Sequence, residues 1–152
     1  MILESLLAFF HFSAILMVVV FLSSEGALCR AEWLNEAVLK RLKRVDLIYL
    51  VSLALVLLTG LARIKWGAKG SEWYWSQPLM HLKLTLFAVS VVLAIPVSRA
   101  IRRWYRIWER TGQLPVSGEI RKTRTLIMIS AHIIMLVPLA AVFLARGMFA
   151  VG

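Results

Sequence analysis

Four long runs of apolar residues, separated by clusters of charged residues, dominate the pattern of the chain. A helix needs about 20 apolar residues to cross the hydrocarbon core of a bilayer. The second run has only 16 such residues, but the charged side chains at its ends can snorkel to the interface. The pattern therefore predicts four membrane-spanning helices, at about 5–24, 46–63, 79–99 and 125–146.

Connections between these runs are short, so consecutive helices are expected to pack as antiparallel neighbours. The predicted fold is all-α, an integral membrane four-helix up-down-up-down bundle that forms one domain over residues 1–152. No basic segment precedes the first run, which carries Glu4 instead. This favours a retained helix over a secretion signal.

Composition and charge agree with a membrane protein and predict its orientation. Hydrophobic residues make up 61% of the chain, the mean hydropathy is +0.80 and the net charge is +10. Thirteen basic residues lie between runs one and two or between runs three and four, against only Arg63, Lys65 and Lys69 between runs two and three. Positive charge marks the cytoplasmic side, so both termini are predicted on the outer, periplasmic side of a bacterial inner membrane.

Membrane lipids are the partners that this charge distribution favours. The basic loops suit anionic lipid headgroups. No nucleic-acid recognition motif accompanies the charge, so nucleic acid is not an expected partner. The tryptophans are expected to anchor the helices at the interfaces, and the basic and aromatic segment 99–110 to lie along the inner one. Residues 111–120 are predicted to form a turn.

Ionisable residues inside the apolar runs are the candidate functional residues, because such groups are costly in a bilayer. Counting about 1.5 Å per residue places His11 roughly 10 Å and Lys83 roughly 8 Å below the outer surface. His132 lies about 12 Å from the inner surface by the same rise. His81 and Lys83 are about 200° apart on one helix, and the greater depth of Lys83 favours it as the inward residue.

A histidine and a second nitrogen donor at one depth suit a b-type haem in a helical bundle. His11 and Lys83 are the predicted iron ligands, with His132 or His81 as the alternative partner of His11. Arg63 and Lys65 could pair with the haem propionates. The simpler alternative is that the histidine bonds to a neighbouring helix and the lysine snorkels.

The segment 78–88, with its Leu-His-x-Lys-Leu-like sequence, and Phe10-His11-Phe12 resemble motifs of HemJ-type protoporphyrinogen oxidases. That resemblance implies haem b held by His11 and Lys83. The family's Trp-x-x-Gly and Tyr-His pattern late in helix one is replaced here by Phe-Leu-Ser-Ser-Glu-Gly at 21–26. Its Thr-Thr-Pro in helix two and its Asn-Glu-x-Pro entry to helix four are also missing.

A closer resemblance is to a family of bacterial four-helix membrane proteins described as a domain of unknown function. It rests on the helix start at Asp46, the stretch 60–70 containing Gly-Ala-Lys-Gly, the helix of Lys83 and the ending 140–147. This resemblance implies the fold and leaves the reaction open.

Three functions fit these observations. The first is a haem-b membrane oxidoreductase of HemJ type, acting on a porphyrinogen or exchanging electrons with a quinone or respiratory partner. The second is a copper-binding or copper-transporting protein that uses the histidines with methionines, since Met128 and Met135 flank His132 and Met17 is a further soft ligand. The third is a structural subunit of a homo-oligomer or larger membrane complex.

Two acidic residues and one cysteine complete the candidates. Glu25 and Asp46 are expected at the same inner level and could form a proton entry pair. The favoured interpretation treats them as interfacial charges paired with Arg30 or Arg44. Cys29 is the one cysteine of the chain, which excludes an intramolecular disulfide.

Overall fold

The computed structural model describes residues 2–66 and 71–146. These residues form five helices, four of which are long and apolar enough to cross a membrane. The predicted all-α architecture of a multi-pass membrane protein is confirmed. Lys69 with the rest of 67–70, and the end of the chain from Gly147, lie outside the described residues. The helices are α1 (Ile2–Leu28), α2 (Glu36–Trp66), α3 (Ser71–Ser76), α4 (Pro78–Thr111) and α5 (Ser117–Ala145).

The four long helices form a closed ring in the order α1, α2, α4, α5. The α1–α2 and α4–α5 hairpins have the most extensive contacts, and α2–α4 and α1–α5 contacts join the hairpins. Residue 11 of α1 meets residue 59 of α2, whereas residue 25 meets residue 46, so these helices are antiparallel. The predicted up-down-up-down order is therefore present.

Local sequence signals explain where α4 begins and ends. Pro78 occupies the first turn, where a missing N–H costs nothing, and Gln77 before it is extended. At the other end Gly112 adopts a left-handed φ of 69°, and its N–H donates to the Trp108 carbonyl at 2.8 Å. Only glycine takes this conformation without steric cost. Because α5 begins at Ser117, the turn is shorter than the predicted 111–120.

The helices extend well beyond the predicted spans at one end of the bundle. At about 1.5 Å per residue, the 31 residues of α2 span roughly 46 Å and the 34 residues of α4 roughly 51 Å. A hydrocarbon core is about 30 Å thick. Residues 99–110 continue α4 without a break, as expected of a third helix that runs on through this segment, and its course along the inner interface stays a prediction. We call this end, which carries the loops 29–35 and 112–116, the basic end.

A tightly packed apolar cluster explains the helical extensions at the basic end. Its side chains are at most 3% exposed, and Trp104 donates from its indole Nε1 to Glu119 Oε2 at 2.8 Å. Trp104 is therefore a core residue, and its prediction as an interfacial anchor is wrong. Charged residues on the outer faces of these helices lower the mean hydropathy of the segments, so the sequence pattern does not reveal their apolar inner faces. The cluster consists of Cys29, Leu39, Leu42, Ile101, Trp104 and Ile120.

The middle of the bundle has the opposite character, with large apolar side chains directed outward. Leu16, Leu58 and Val92 are more than 60% exposed. A surface of this kind suits lipid, where apolar side chains need no cover. The opposite end carries a second, smaller cluster in which Ile64 and Met80 are buried against residues of α3 and α4.

Candidate functional site

His11 lies between α1 and α2, at the end of the bundle opposite the basic end. Its ring is partly buried, and Nδ1 lies 2.9 Å from the Thr59 hydroxyl oxygen. The Thr59 hydroxyl is itself 2.6 Å from the Leu55 carbonyl one turn earlier. The carbonyl can only accept, so the single hydroxyl proton of Thr59 is directed to Leu55.

This arrangement selects one tautomer of the neutral His11 ring. The Thr59 oxygen must accept from His11, so Nδ1 carries the proton and Nε2 carries the lone pair. No described residue forms a hydrogen bond with Nε2. Histidines that bind metals are oriented in the same way, with one ring nitrogen donating to a neighbouring oxygen and the other free to ligate.

Gly60 allows the close approach of α1 and α2 at His11. A Cβ atom added at position 60 would lie 3.3 Å from Cε1 of His11, closer than ordinary van der Waals contact. The hydroxyl at residue 59 and the missing side chain at residue 60 thus act together. The Thr59 hydroxyl bonds to the imidazole of His11, and the lack of a side chain at Gly60 leaves space for the ring.

Two cations lie near His11. Lys83 of α4 and Arg63 of α2 are both partly buried and both interact electrostatically with His11. The guanidinium carbon of Arg63 lies 5.8 Å from the ring centre of Phe12. Within the described residues neither cation pairs with a carboxylate, because the two ion pairs, Lys40–Glu36 and Arg103–Glu119, both lie at the basic end. The charges of Lys83 and Arg63 thus act on His11, although neither side chain forms a hydrogen bond with its ring in the described residues.

The other two histidines lie elsewhere on the surface. His81 is exposed, and its Nε2 lies 2.9 Å from the Trp75 carbonyl that joins α4 to α3. Its neighbour Lys83 is the more buried of the two, which agrees with the predicted orientation of this helix. His132 is also exposed and donates from Nδ1 to the Met128 carbonyl at 2.6 Å. The structure does not place His81 or His132 in the His11 cluster.

His132 borders a shallow surface concavity at the basic end of α5. Met128 lines the same concavity together with two arginines, Arg121 and Arg124. Two positive charges make a poor environment for a copper ion. Met135, the other methionine of the copper prediction, is 65% exposed. Across the described residues no three His, Cys, Asp or Glu side chains come together as a metal-binding group.

Glu25 and Asp46 form a second polar cluster inside the bundle, toward the basic end. They are 0% and 1% exposed, and their carboxyl groups lie within hydrogen-bonding range of each other. The Ser98 hydroxyl donates to Asp46 Oδ2 at 2.7 Å. The prediction of solvated interfacial charges paired with Arg30 or Arg44 is wrong. Both carboxyl groups are core groups, and we call them the carboxyl pair.

Sequence reasoning placed Glu25 and Asp46 at one level but missed their burial. Leu39 and Leu42 precede Asp46 on α2 at helical spacing. They indicate that the apolar face of this helix continues beyond the carboxyl pair. Thr59 was also missed as the partner of His11. A threonine in an apolar helix is common, and only the register between α1 and α2 shows which residue faces it.

Comparison with known proteins supports one of the two family resemblances. The family described as Predicted membrane protein (DUF2214) matches residues 3–149. No curated protein matches the chain, and no solved structure does. The resemblance to HemJ-type oxidases therefore gains no support. With its four candidate spans and a match over nearly its whole length, the chain belongs to the DUF2214 family of membrane proteins.

Proposed function

We propose that this protein is a haem-b-binding redox protein of the bacterial inner membrane, in which His11 would ligate the iron. The hydrogen bond that fixes Nδ1 of His11 on Thr59 carries this proposal, because it leaves Nε2 free as a ligand. Haem b supplies an iron that accepts and donates one electron. A quinone or a respiratory protein is the class of partner that would take that electron.

The charges around His11 suit the rest of a haem molecule. Haem carries two propionate groups, and Lys83 and Arg63 are cations without a carboxylate partner in the described part of the chain. Arginine binds carboxylates through two parallel hydrogen bonds, so Arg63 is assigned to a propionate. Lys83 has two possible roles. Its neutral amine would be a second ligand of the iron, or its ammonium would pair with the other propionate.

Absorption spectroscopy of the purified protein tests the proposal. The protein purified in detergent is expected to show a Soret band and, on reduction, sharp α and β bands. His11→Ala is expected to abolish or strongly reduce haem content. His132→Ala and His81→Ala are matched controls, because both rings are exposed and lie outside the His11 cluster. They should retain the wild-type spectrum.

Two variants of Lys83 separate its possible roles. Lys83→Arg keeps the positive charge but cannot ligate iron, whereas Lys83→Met removes the charge and offers a thioether ligand. A spectrum unchanged in Lys83→Arg assigns Lys83 to a propionate. A changed spin state in Lys83→Arg assigns it to the iron. A colourless wild-type protein that binds no haem on reconstitution would overturn the proposed function.

A further inference from the structure

One member of the carboxyl pair, Glu25, is buried without a hydrogen-bond donor among the described residues. Glu25 and Asp46 are fully enclosed, and no donor reaches either carboxyl oxygen of Glu25 within the described ranges. The polar group beside Glu25 is the carboxyl group of Asp46. Two ionised carboxylates are both acceptors, so they repel each other and cannot bond.

Every helix of the ring contributes to the surroundings of this pair. From α4 come Ser98, which donates to Asp46, and Arg102, whose charge acts on Asp46. From α5, Arg124 donates to the Gly26 carbonyl next to Glu25, at 3.4 Å. Tyr49 of α2 interacts electrostatically with both carboxyl groups, and its hydroxyl lies 3.4 Å from that of Ser130. The nearest thiol is that of Cys29, one turn after Glu25.

Neither arginine is bonded to the pair. Arg102 is exposed, and Arg124 is directed to a backbone carbonyl. Leu39, Leu42 and Ile101, all 0% exposed, continue the core past the carboxyl pair toward the basic end. The pair is therefore closed off from the water beyond that end, and the ionisation of both groups there would be very costly.

We propose that Glu25 and Asp46 together form a proton-binding site that holds one shared proton at neutral pH. The proton resides on Glu25, whose carboxyl O–H donates to Asp46, while Asp46 accepts a second hydrogen bond from Ser98. This removes the charge of Glu25 and gives one of its two carboxyl oxygens a hydrogen-bond partner. Two buried carboxyl groups in contact share a proton in other proteins for the same reason. The site stands independently of haem binding at His11.

A bound metal cation is the competing explanation and has less support. Two carboxyl groups and one hydroxyl offer few ligands for a cation that prefers six or more oxygen atoms. The positive charge of Arg102 also acts on Asp46. A proton needs only the two oxygens that are already in contact.

Infrared spectroscopy of the detergent-purified protein tests this inference, with or without haem. A protonated carboxylic acid has a carbonyl stretch that is separate from the bands of carboxylates. Wild-type protein at neutral pH is expected to show one such band that shifts in heavy water. Glu25→Gln should lose the band and keep the fold, because the glutamine amide can donate to Asp46 in place of the acid.

Asp46→Asn provides a second, independent variant, in which the buried Glu25 keeps its proton but loses the carboxylate that accepts it, so the band should shift in frequency rather than disappear. Glu119→Gln is the matched control, because Glu119 already receives donors from Trp104 and Arg103 and lies outside the carboxyl pair. It should leave the band unchanged. Ser98→Ala should shift the frequency of the band without removing it.

The absence of an acid band in folded wild-type protein at neutral pH would overturn the inference. So would a band that survives in Glu25→Gln, or one that stays unshifted in Asp46→Asn. Carboxylate bands that respond to sodium or potassium, with no acid band, would instead assign the pair to a cation.

Discussion

Single hydrogen bonds decide the chemistry that the buried residues of this protein can perform. His11 and His132 both donate from Nδ1, but His11 donates to a side chain between two helices and His132 to the backbone of its own helix. The charges of Arg63 on α2 and Lys83 on α4 act on His11 from neighbouring helices, whereas Arg121 and Arg124, which line the concavity at His132, belong to its own helix. Residue type alone does not distinguish the two histidines, whereas their partners do.

Removal of the Thr59 hydroxyl should weaken ligation by His11 without removing the ligand. In Thr59→Val the ring loses the acceptor that orients it, and loss of such a partner typically lowers metal affinity about 10- to 100-fold. The measurement is a haem titration of the apoprotein. Thr85→Val is the control, because the hydroxyl of Thr85 bonds to the carbonyl of His81 on its own helix. Equal affinity in Thr59→Val and wild type would contradict the assigned role of Thr59.

At the scale of helices, the two ends of the bundle are held together differently. Toward the middle, small or hydroxyl-bearing residues such as Ser52 and Ser90 allow the helices to approach, and their hydroxyls bond within their own helices. At the basic end the contacts are made by large side chains, including Leu42 and Trp104. We therefore expect the basic end to contribute strongly to the stability of the bundle.

Truncation of Leu42 tests this expectation. Leu42 is 0% exposed, so Leu42→Ala should leave a cavity and lower the free energy of unfolding by about 2–5 kcal/mol. Leu57→Ala on the same helix is the control, because Leu57 is 44% exposed on the outer surface. Unfolding in detergent mixtures, followed by circular dichroism, measures both. Similar losses of stability in the two variants would show that the basic-end cluster contributes no more than the lipid-facing surface.

For the molecule as a whole, the two polar clusters lie at different depths. His11 and Glu25 are separated by fourteen residues of α1, about 21 Å along the helix. Apolar side chains such as Val18 and Leu22 occupy the core between them. The proposed electron-carrying site and the proposed proton-binding site are therefore separate sites in one bundle, and each can be removed without altering the other.

The distribution of charge predicts which cluster faces the cytoplasm. The basic end should be cytoplasmic and the His11 end periplasmic. Cysteines introduced by Gln113→Cys and Ser71→Cys, both at exposed positions at opposite ends, report this orientation. In intact cells a membrane-impermeant maleimide should label Ser71→Cys, and should label Gln113→Cys only after the membrane is opened.

Wild-type protein is the control for this labelling. Cys29, just beyond α1, is 0% exposed, and burial raises the pKa of its thiol to about 12. Its thiol therefore stays protonated and unreactive at neutral pH, and no labelling is expected in the folded protein. The reverse pattern in the two variants would overturn the orientation while leaving the fold unchanged.

The number and order of the long helices follow from the apolar runs, and the shared depth of His11 and Lys83 follows from counting residues along two helices. The lengths of α2 and α4 do not follow from these runs. Charged residues such as Lys43 and Arg102 lower the hydropathy of the helix ends to a value that is also typical of loops. The contact of Glu25 with Asp46 depends on helix register and rotation. Those are set by side-chain packing between helices, which a single sequence does not display.

The extension of the helices beyond the bilayer has a thermodynamic consequence. Between helices surrounded by lipid, burial of a leucine brings no gain from leaving water, because the lipid chains are equally apolar. Leu39 and Leu42 alternate along α2 with Lys40, Arg41 and Lys43, and charged side chains of this kind require water around them. There the hydrophobic effect operates as in a soluble protein. This small water-facing core can therefore fix the register in which the helices meet deeper in the membrane, including the contact of Glu25 with Asp46.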